Sequence, residues 1–170
     1  MHIRRFQSGE ELALFEVYYS AIHLIARNDY SEEQLNAWAP SDLDRELWVN
    51  RINRINPFVA EIDGKPVGYA DIQQNGYIDH FFVSGHHSRQ GVGKALMQVI
   101  RSEAKRLNIT ELTSNVSLTA QPFFERFGFV VVERKKSVIR GVELRNALMR
   151  KDYKTFRLTP PQKTIIAPPS

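Results

Sequence analysis

One stretch of the sequence constrains the fold more than any other: FFVSGHHSRQGVGKALMQVI, residues 81–100. It begins as a short apolar run, passes through a loop with Gly91 and Gly93, and continues with apolar residues at helical spacing. A strand, a glycine-rich corner and a helix direct backbone N–H groups toward one point at the positive end of the helix dipole. Such a corner can hold a phosphate or pyrophosphate. It can also be a tight turn that packs the helix closely against the strand.

Turn signals and apolar periodicity predict the remaining elements. They indicate a strand at 2–6, helices between Ser8 and Pro57, three antiparallel strands between 57 and 83, a helix at 92–107, a strand at 109–115, a helix at 120–128, and strands at 129–139 and 142–151. Ser8 and Ser31 are the predicted N-caps of the first two helices. This order predicts an α/β domain at residues 1–152, with a mixed, mostly antiparallel sheet of about seven strands flanked by helices. A proline-rich tail follows at 153–170. The corner lacks the third glycine of a Rossmann fingerprint and the Lys-Ser/Thr of a P-loop.

Composition excludes several kinds of site. The chain has no cysteine, so disulfides, thiolate zinc sites and a cysteine nucleophile are excluded. The histidines at 80, 86 and 87 do not have convincing zinc spacing, and we expect no metal. No apolar run approaches the roughly 18 residues of a membrane helix, and the N-terminus lacks a signal-peptide core. These observations predict a cytoplasmic protein without a membrane partner.

The net charge of +4 is unevenly distributed, with basic residues concentrated after Arg89. A basic half can bind nucleic acid or a polyanionic small molecule. Because the aromatic residues do not interleave with the basic ones as in a stacking platform for single strands, no nucleic-acid partner is expected.

Two motifs together resemble the family of GCN5-related N-acetyltransferases (GNAT). YIDHFFVSGHHSRQGVGKALMQVI, residues 77–100, is similar to the acetyl-CoA-binding core, in which a strand leads into an (Arg/Gln)-x-x-Gly-x-(Gly/Ala) loop and a helix. LTAQPFFERFGFVVV, residues 118–132, resembles the later helix and strand of this family. The likeness spans residues 2–152. It implies an acyl-CoA N-acyltransferase fold and direct transfer of an acetyl group from acetyl-CoA to a primary amine in a ternary complex.

The resemblance also implies which residues bind acetyl-CoA. Backbone groups of Phe81, Phe82 and Val83 would pair with the pantetheine arm as a further strand does, and one N–H of this strand would hold the oxyanion. Phe123 and Phe124 would lie beside the pantetheine or the thioester. The loop and the helix start would hold the pyrophosphate at Ser88, Arg89, Gln90, Gly91, Val92, Gly93 and Lys94.

Two positions depart from the family pattern. Ser88 stands where the loop motif has Arg or Gln, which should weaken cofactor binding without abolishing it, because backbone N–H groups do most of the binding. Phe124 stands where the family often has a tyrosine that protonates the departing thiolate. Water or another group must then supply the proton, or the chain is a non-catalytic acyl-CoA-binding module.

Transfer to an amine requires a base, because an alkylammonium group has a pKa near ~10. In a regular strand, residues 77, 79, 81 and 83 share one face and 78, 80 and 82 the other. Tyr77 and Asp79 are therefore expected on the face of Val83, where family members commonly carry an acidic residue or a histidine. Asp79 is the first candidate base and Tyr77 the next, whereas His80 is expected to face away. Asp79 can instead be a structural carboxylate bonded to a neighbouring backbone.

The acceptor pocket of this family is variable and is usually built from the N-terminal helices. Here it would include Tyr30 and Trp38, whose rings could pack on a small-molecule or peptide amine. Trp38 can instead be a core residue. The late strands could form a homodimer, as they can in this family, but nothing in the sequence requires it.

Overall fold

The computed structural model describes residues 1–153, so the predicted tail at 153–170 lies outside the described residues except for Tyr153. In chain order the elements are β1 His2–Arg5, α1 Glu11–Ser20, α2 Glu32–Trp38, α3 Arg45–Ile55, β2 Phe58–Ile62, β3 Lys65–Ala70, β4 Tyr77–Ile78, β5 Phe81–Val83, α4 Val92–Arg106, β6 Glu111–Ser117, α5 Gln121–Arg126, β7 Val130–Ile139 and β8 Val142–Asp152. After α1 the chain continues through a π-helical turn, Ala21–Ile25, and a 3-10 turn, Ala26–Asn28.

The strands form two four-stranded sheets, in the orders β1-β2-β3-β5 and β4-β6-β8-β7. Every pairing is antiparallel except the one between β4 and β6. The predicted mixed α/β class is confirmed. The strand count differs, because the single strand expected at 77–83 is divided into β4 and β5.

A buried carboxylate causes this division. Asp71, which follows β3, is fully buried, and its Oδ1 accepts the backbone N–H of Asp79 at 3.0 Å and that of His80 at 2.6 Å. Two successive N–H groups therefore bond to one side chain, where a regular ladder would direct them to opposite edges. The result is a local bulge at Asp79–His80 that bends the chain and changes which side chains share a face.

Beyond this bulge the two sheets separate. Tyr77 and Ile78 of β4 pair in parallel with Thr113 and Ser114 of β6, and Ser114 Oγ donates to the carbonyl of Ile78 at 2.8 Å. After Ile78 the pairing stops, because β5 pairs with β3 while β6 continues to Ser117 against β8. A wedge-shaped gap thus opens between β5 and the end of β6.

Helices cover both sides of the sheets. One core cluster contains α4 and α5, including Leu96, Ile100 and Phe124, and the other contains α1 and α3, including Leu14 and Ile52. In the first cluster, β3 and α4 approach closely at Gly68. A Cβ on Gly68 would lie 2.8 Å from Cγ1 of Val92, the first residue of α4. Only glycine therefore allows α4 to approach β3 so closely.

The predicted helix starts were only partly right. Ser31 caps α2 through a reciprocal capping box with Gln34, as the sequence indicates. The cap predicted at Ser8 is wrong, since α1 begins at Glu11 after an N-cap, Glu10, whose side chain makes no capping bond. Across residues 1–153, no helix is long and apolar enough to cross a membrane.

Candidate active site

A cleft of about 420 Å³ opens at the gap between β5 and β6. Of the twelve residues assigned to cofactor binding from the sequence, eleven line this cleft, and Gln90 is the exception. The fold thus brings together β5, the glycine corner, the first turn of α4 and the aromatic face of α5. Phe123 and Phe124 form this last face and lie 29 or more residues after the corner in the sequence. Only the tertiary fold therefore brings them to the cleft.

The glycine corner presents unpaired backbone donors to one end of the cleft. Arg89 and Gly91 both have positive φ, +61° and +79°, and Gly91 is the N-cap of α4 with no side chain capping the helix. The N–H groups of the first turn, at Val92, Gly93 and Lys94, have no intrahelical acceptor. With the side-chain charges of Arg89 and Lys94 at the same end, the corner has the donors and the positive charge that a pyrophosphate requires.

The two glycines of the corner serve different purposes. A Cβ on Gly91 would meet nothing within 4 Å, so glycine is favoured there by its positive φ and leaves open space for a ligand. A Cβ on Gly93 would lie 3.1 Å from Cε2 of Phe123, so glycine is required there for close packing. The open space at Gly91 is compatible with phosphate binding, which stays a prediction, whereas the close contact at Gly93 is mainly with Phe123 of α5 and less with Val83 of the strand.

The beginning of the corner is anchored to the end of α1. The N–H of Gly85 donates to Ser20 Oγ at 3.0 Å, and a Cβ on Gly85 would lie 2.5 Å from the Ser20 carbonyl oxygen. Ser84 donates its N–H to Val67 and its hydroxyl oxygen accepts the N–H of His86. These contacts fix the loop before it reaches the helix start.

The backbone of β5 offers polar groups to the cleft at alternate residues. The N–H of Ser84 donates to the carbonyl of Val67, and the N–H of Asp71 donates to the carbonyl of His80. In β5 and at its two ends, the even-numbered residues are therefore those whose backbone groups face β3. The N–H and C=O groups of Phe81 and Val83 therefore face the gap. The assignment of Phe82 to backbone pairing with the cofactor is wrong, because its backbone faces Tyr69 of β3.

A second cavity, of about 350 Å³, lies on the other side of β5. Tyr77, Asp79 and His80 all line it, as do Tyr30 and Trp38 from the N-terminal helices. The predicted alternation is wrong here: Asp79 does not share the face of Val83, and His80 does not face away from Asp79. The bulge held by Asp71 turns both side chains toward the same cavity.

His80 is a buried, neutral imidazole in the wall of this second cavity. Its side chain is 5% exposed, and Nδ1 lies 2.9 Å from the hydroxyl of Tyr69. Burial lowers the pKa of His80 to about 4, against the opposing charge of Asp79. The ring is therefore uncharged at neutral pH, while Asp79 beside it is an exposed carboxylate.

Tyr77 is unsuited to act as the base. Burial, followed by the charge of Asp79, raises the pKa of its hydroxyl, so it stays a phenol at neutral pH. The phenol oxygen accepts a hydrogen bond from Asn115 Nδ2 at 3.2 Å. Its own proton can be donated into the cavity.

Tyr30 and Trp38 form a rigid part of the cavity wall. The Tyr30 hydroxyl donates to the carbonyl of Arg145 at 2.5 Å and accepts the N–H of Leu118 at 2.9 Å. It therefore has little capacity for a further ligand, and only the ring of Tyr30 can contact an acceptor. Trp38 is half-buried and makes edge contacts with the rings of Tyr30 and Phe82, at centroid distances of 5.5 and 6.4 Å.

The two cavities meet. Three residues line both of them, and we call them the junction residues: Trp38, Phe82 and Ser117. No signal in the sequence selects Ser117, because β6 carries no motif and its end becomes accessible only where the sheets separate. Nor does alternation along a regular strand select His80, because the break at Asp79–His80 depends on the distant side chain of Asp71.

Phe124 lies between the cleft and the core. It is 2% exposed, and its ring centroid lies 5.5 Å from that of Phe81 and 5.0 Å from that of Phe129. It has no proton to donate, as the sequence indicates. Within residues 1–153, no cluster of three histidine, aspartate or glutamate side chains could hold a metal ion.

Comparisons with known proteins agree with this architecture. A family model described as an acetyltransferase (GNAT) domain matches residues 26–150. The uncharacterized N-acetyltransferase YafP of Escherichia coli K12 is 35% identical over 88% of this chain and 95% of its own.

Two solved structures have similar folds. A GCN5-related N-acetyltransferase from Rhodopseudomonas palustris superposes with a TM-score of 0.85 at 27% identity, over 89% of this chain and 94% of its own. The PaiA N-acetyltransferase of Thermoplasma acidophilum, solved in complex with coenzyme A, gives a TM-score of 0.71 at 20% identity, over 89% of this chain and 98% of its own.

Proposed function

The chain belongs to the GNAT family of acetyltransferases, and from this premise we propose that it transfers the acetyl group of acetyl-CoA directly to a primary amine bound in the second cavity. One observation carries the proposal: two cavities lie on opposite sides of β5 and meet at the junction residues Trp38, Phe82 and Ser117. A donor in the cleft and an acceptor in the second cavity could then react without an enzyme-bound acetyl group. The absence of cysteine agrees with such a ternary complex.

The cleft suits acetyl-CoA at both of its ends. The pyrophosphate would bind the N–H groups of Val92, Gly93 and Lys94 with the charge of Arg89, and the amide groups of the pantetheine arm would bond to Phe81 and Val83. Acetyl-CoA supplies an activated thioester. One N–H facing the gap from β5 would polarise the thioester carbonyl, as a donor of an oxyanion hole does.

On the acceptor side we propose that Asp79 binds the ammonium group and accepts its proton, directly or through a water molecule. An exposed carboxylate is well placed for this, because it attracts the cation before the proton leaves. His80 is the second candidate, since its imidazole is neutral at neutral pH and is oriented by Tyr69. Tyr77 would be a hydrogen-bond donor in the same cavity.

Departure of the thiolate would take place without a dedicated acid at residue 124. A free thiol has a pKa of about 8.5, so its thiolate is a tolerable leaving group. Ser117 is the junction residue that carries a hydroxyl group, and water or this hydroxyl would stabilise the departing sulfur. The cytoplasmic location and the homodimer remain predictions.

Binding of acetyl-CoA tests the proposal directly. At one hundred times its dissociation constant, acetyl-CoA should stabilise the wild-type fold by about 2.7 kcal/mol, measured from its thermal or urea unfolding. Gly91→Glu should abolish this stabilisation, because it places a negative charge in the open space at the pyrophosphate end.

Gly91→Asn is the matched control. Asparagine tolerates a positive φ better than most residues and has no charge, so it separates backbone strain from electrostatic exclusion and should retain most of the stabilisation. Wild-type unfolding that does not respond to acetyl-CoA would refute the proposal. An equal response in wild type and Gly91→Glu would refute only the position of the pyrophosphate.

A further inference from the structure

The acceptor cavity carries an excess of positive charge. Three arginines line it, Arg51 on α3, Arg140 at the turn between β7 and β8, and Arg145 on β8. Among the described residues, Asp79 is the only carboxylate that lines it. Neither Arg51 nor Arg140 forms an ion pair with a carboxylate of residues 1–153. Unpaired guanidinium groups around a cavity are complementary to an anionic ligand.

A contact of Arg140 and the electrostatic effect of both arginines on Tyr18 indicate where these charges act. Arg140 Nη1 donates to the carbonyl of Ala37 at 2.7 Å, which holds the guanidinium against the end of α2 and leaves its other N–H groups available. Burial raises the pKa of the Tyr18 hydroxyl, in the cavity wall, to about 12, and the charges of Arg51 and Arg140 oppose this rise. The positive field of both side chains therefore extends into the cavity.

We propose that the natural acceptor is a small amine that also carries a carboxylate or a phosphate, with its anionic group bound by Arg51 and Arg140 and its amino group directed toward Asp79 and the junction residues. This inference rests on the proposed function and specifies its substrate class. A polyamine or another polycation is disfavoured, since it would bring further positive charge beside unpaired arginines. The cavity volume of about 350 Å³ suits a small molecule.

Matched pairs of amines test the inference. Thiol release from acetyl-CoA is measured with 4-aminobutyrate and 4-aminobutanamide, with phosphoethanolamine and ethanolamine, and with spermidine. In each pair the anionic member should have a value of kcat/KM higher by roughly tenfold or more, as one charge-assisted hydrogen bond implies. Arg51→Gln and Arg140→Gln should each remove most of this preference, because they should lower kcat/KM much more for the anionic member of a pair than for the neutral one.

The control is Arg45→Gln, which removes an exposed arginine from the same helix, α3, that does not line the cavity. It should leave the preference unchanged. If neutral amines or spermidine are better substrates than the anionic members, the inference is wrong while the acetyltransferase function stands. If no amine releases thiol, both are wrong, and the test of acetyl-CoA binding then shows whether the cleft assignment survives.

A binding measurement gives a second answer that does not depend on catalysis. The chain has two tryptophans, and both, Trp38 and Trp48, line this cavity. Their fluorescence should respond to 4-acetamidobutyrate at concentrations roughly tenfold lower than to 4-acetamidobutanamide. Equal responses to the two compounds, or an unchanged difference in Arg140→Gln, would overturn the inference.

Discussion

Asp71 and His80 are buried neighbours whose titrations should affect stability in opposite directions. Burial raises the pKa of Asp71 from 3.8 to about 6 and lowers that of His80 from 6.5 to about 4. Between pH 4 and 6 the folded state keeps a proton on Asp71 that the unfolded state has lost, so this group stabilises the fold below pH 4 and loses that effect as the pH rises through 6. His80 stabilises the fold above pH 6.5 and loses that effect as the pH falls toward 4.

The two effects are similar in size. Each pKa differs by about 2 between the folded and unfolded states, and one pKa unit corresponds to about 1.4 kcal/mol, so each contribution is about 3 kcal/mol. In the wild type they largely cancel. Asp71→Asn removes the titration of Asp71, so its free energy of unfolding relative to wild type should increase by about 2 kcal/mol from pH 4 to pH 6, and by about 3 kcal/mol over the whole titration. His80→Gln should show the opposite trend over the same range.

Urea unfolding followed by tryptophan fluorescence measures these differences between pH 4 and 7. The free energy of unfolding of each variant is compared with that of wild type at the same pH, which removes the effect of titrating groups that both proteins share. Asp42→Asn, which removes an exposed carboxylate, controls for the loss of one negative charge and should show no trend. A difference between Asp71→Asn and wild type that stays constant with pH would refute a raised pKa for Asp71 in the folded state.

Two further predictions concern catalysis. Asp79→Asn should lower the turnover number by about 100-fold or more without changing acetyl-CoA affinity. Near-normal turnover in this variant, together with a large loss in His80→Gln, would show that His80 is the base instead. Phe124→Tyr should keep or raise the rate of thiol release, because the ring is retained and a hydroxyl is added beside the cleft. A fall of about 1–3 kcal/mol in its unfolding free energy together with lost activity would show that the hydroxyl is buried without a partner and that Phe124 is a core residue.

The sequence predicted those parts of the site that depend on local signals. The glycine corner and the start of α4 follow from φ requirements and helical periodicity within a few residues, and the capping box at Ser31 is equally local. The break at Asp79–His80 could not be predicted, because alternation of faces holds only for a regular ladder and the acceptor that interrupts it is the side chain of Asp71. The hydroxyl of Tyr30 likewise bonds to residues 118 and 145, which only the tertiary fold brings near it.

The bulge would also let one short strand serve both ligands of the proposed ternary complex. A regular strand at 77–83 would direct His80 and Asp79 to opposite faces, so that only one of them could line the acceptor cavity. With the bulge, both line that cavity, while the backbone of Phe81 and Val83 still faces the cleft. Each side of β5 has its own group of positive charge. Arg89 and Lys94 line the cleft, and Arg51 and Arg140 line the acceptor cavity. Two anionic ligands could therefore bind together on opposite sides of β5 with their charges apart, and their uncharged reacting groups would meet at Phe82.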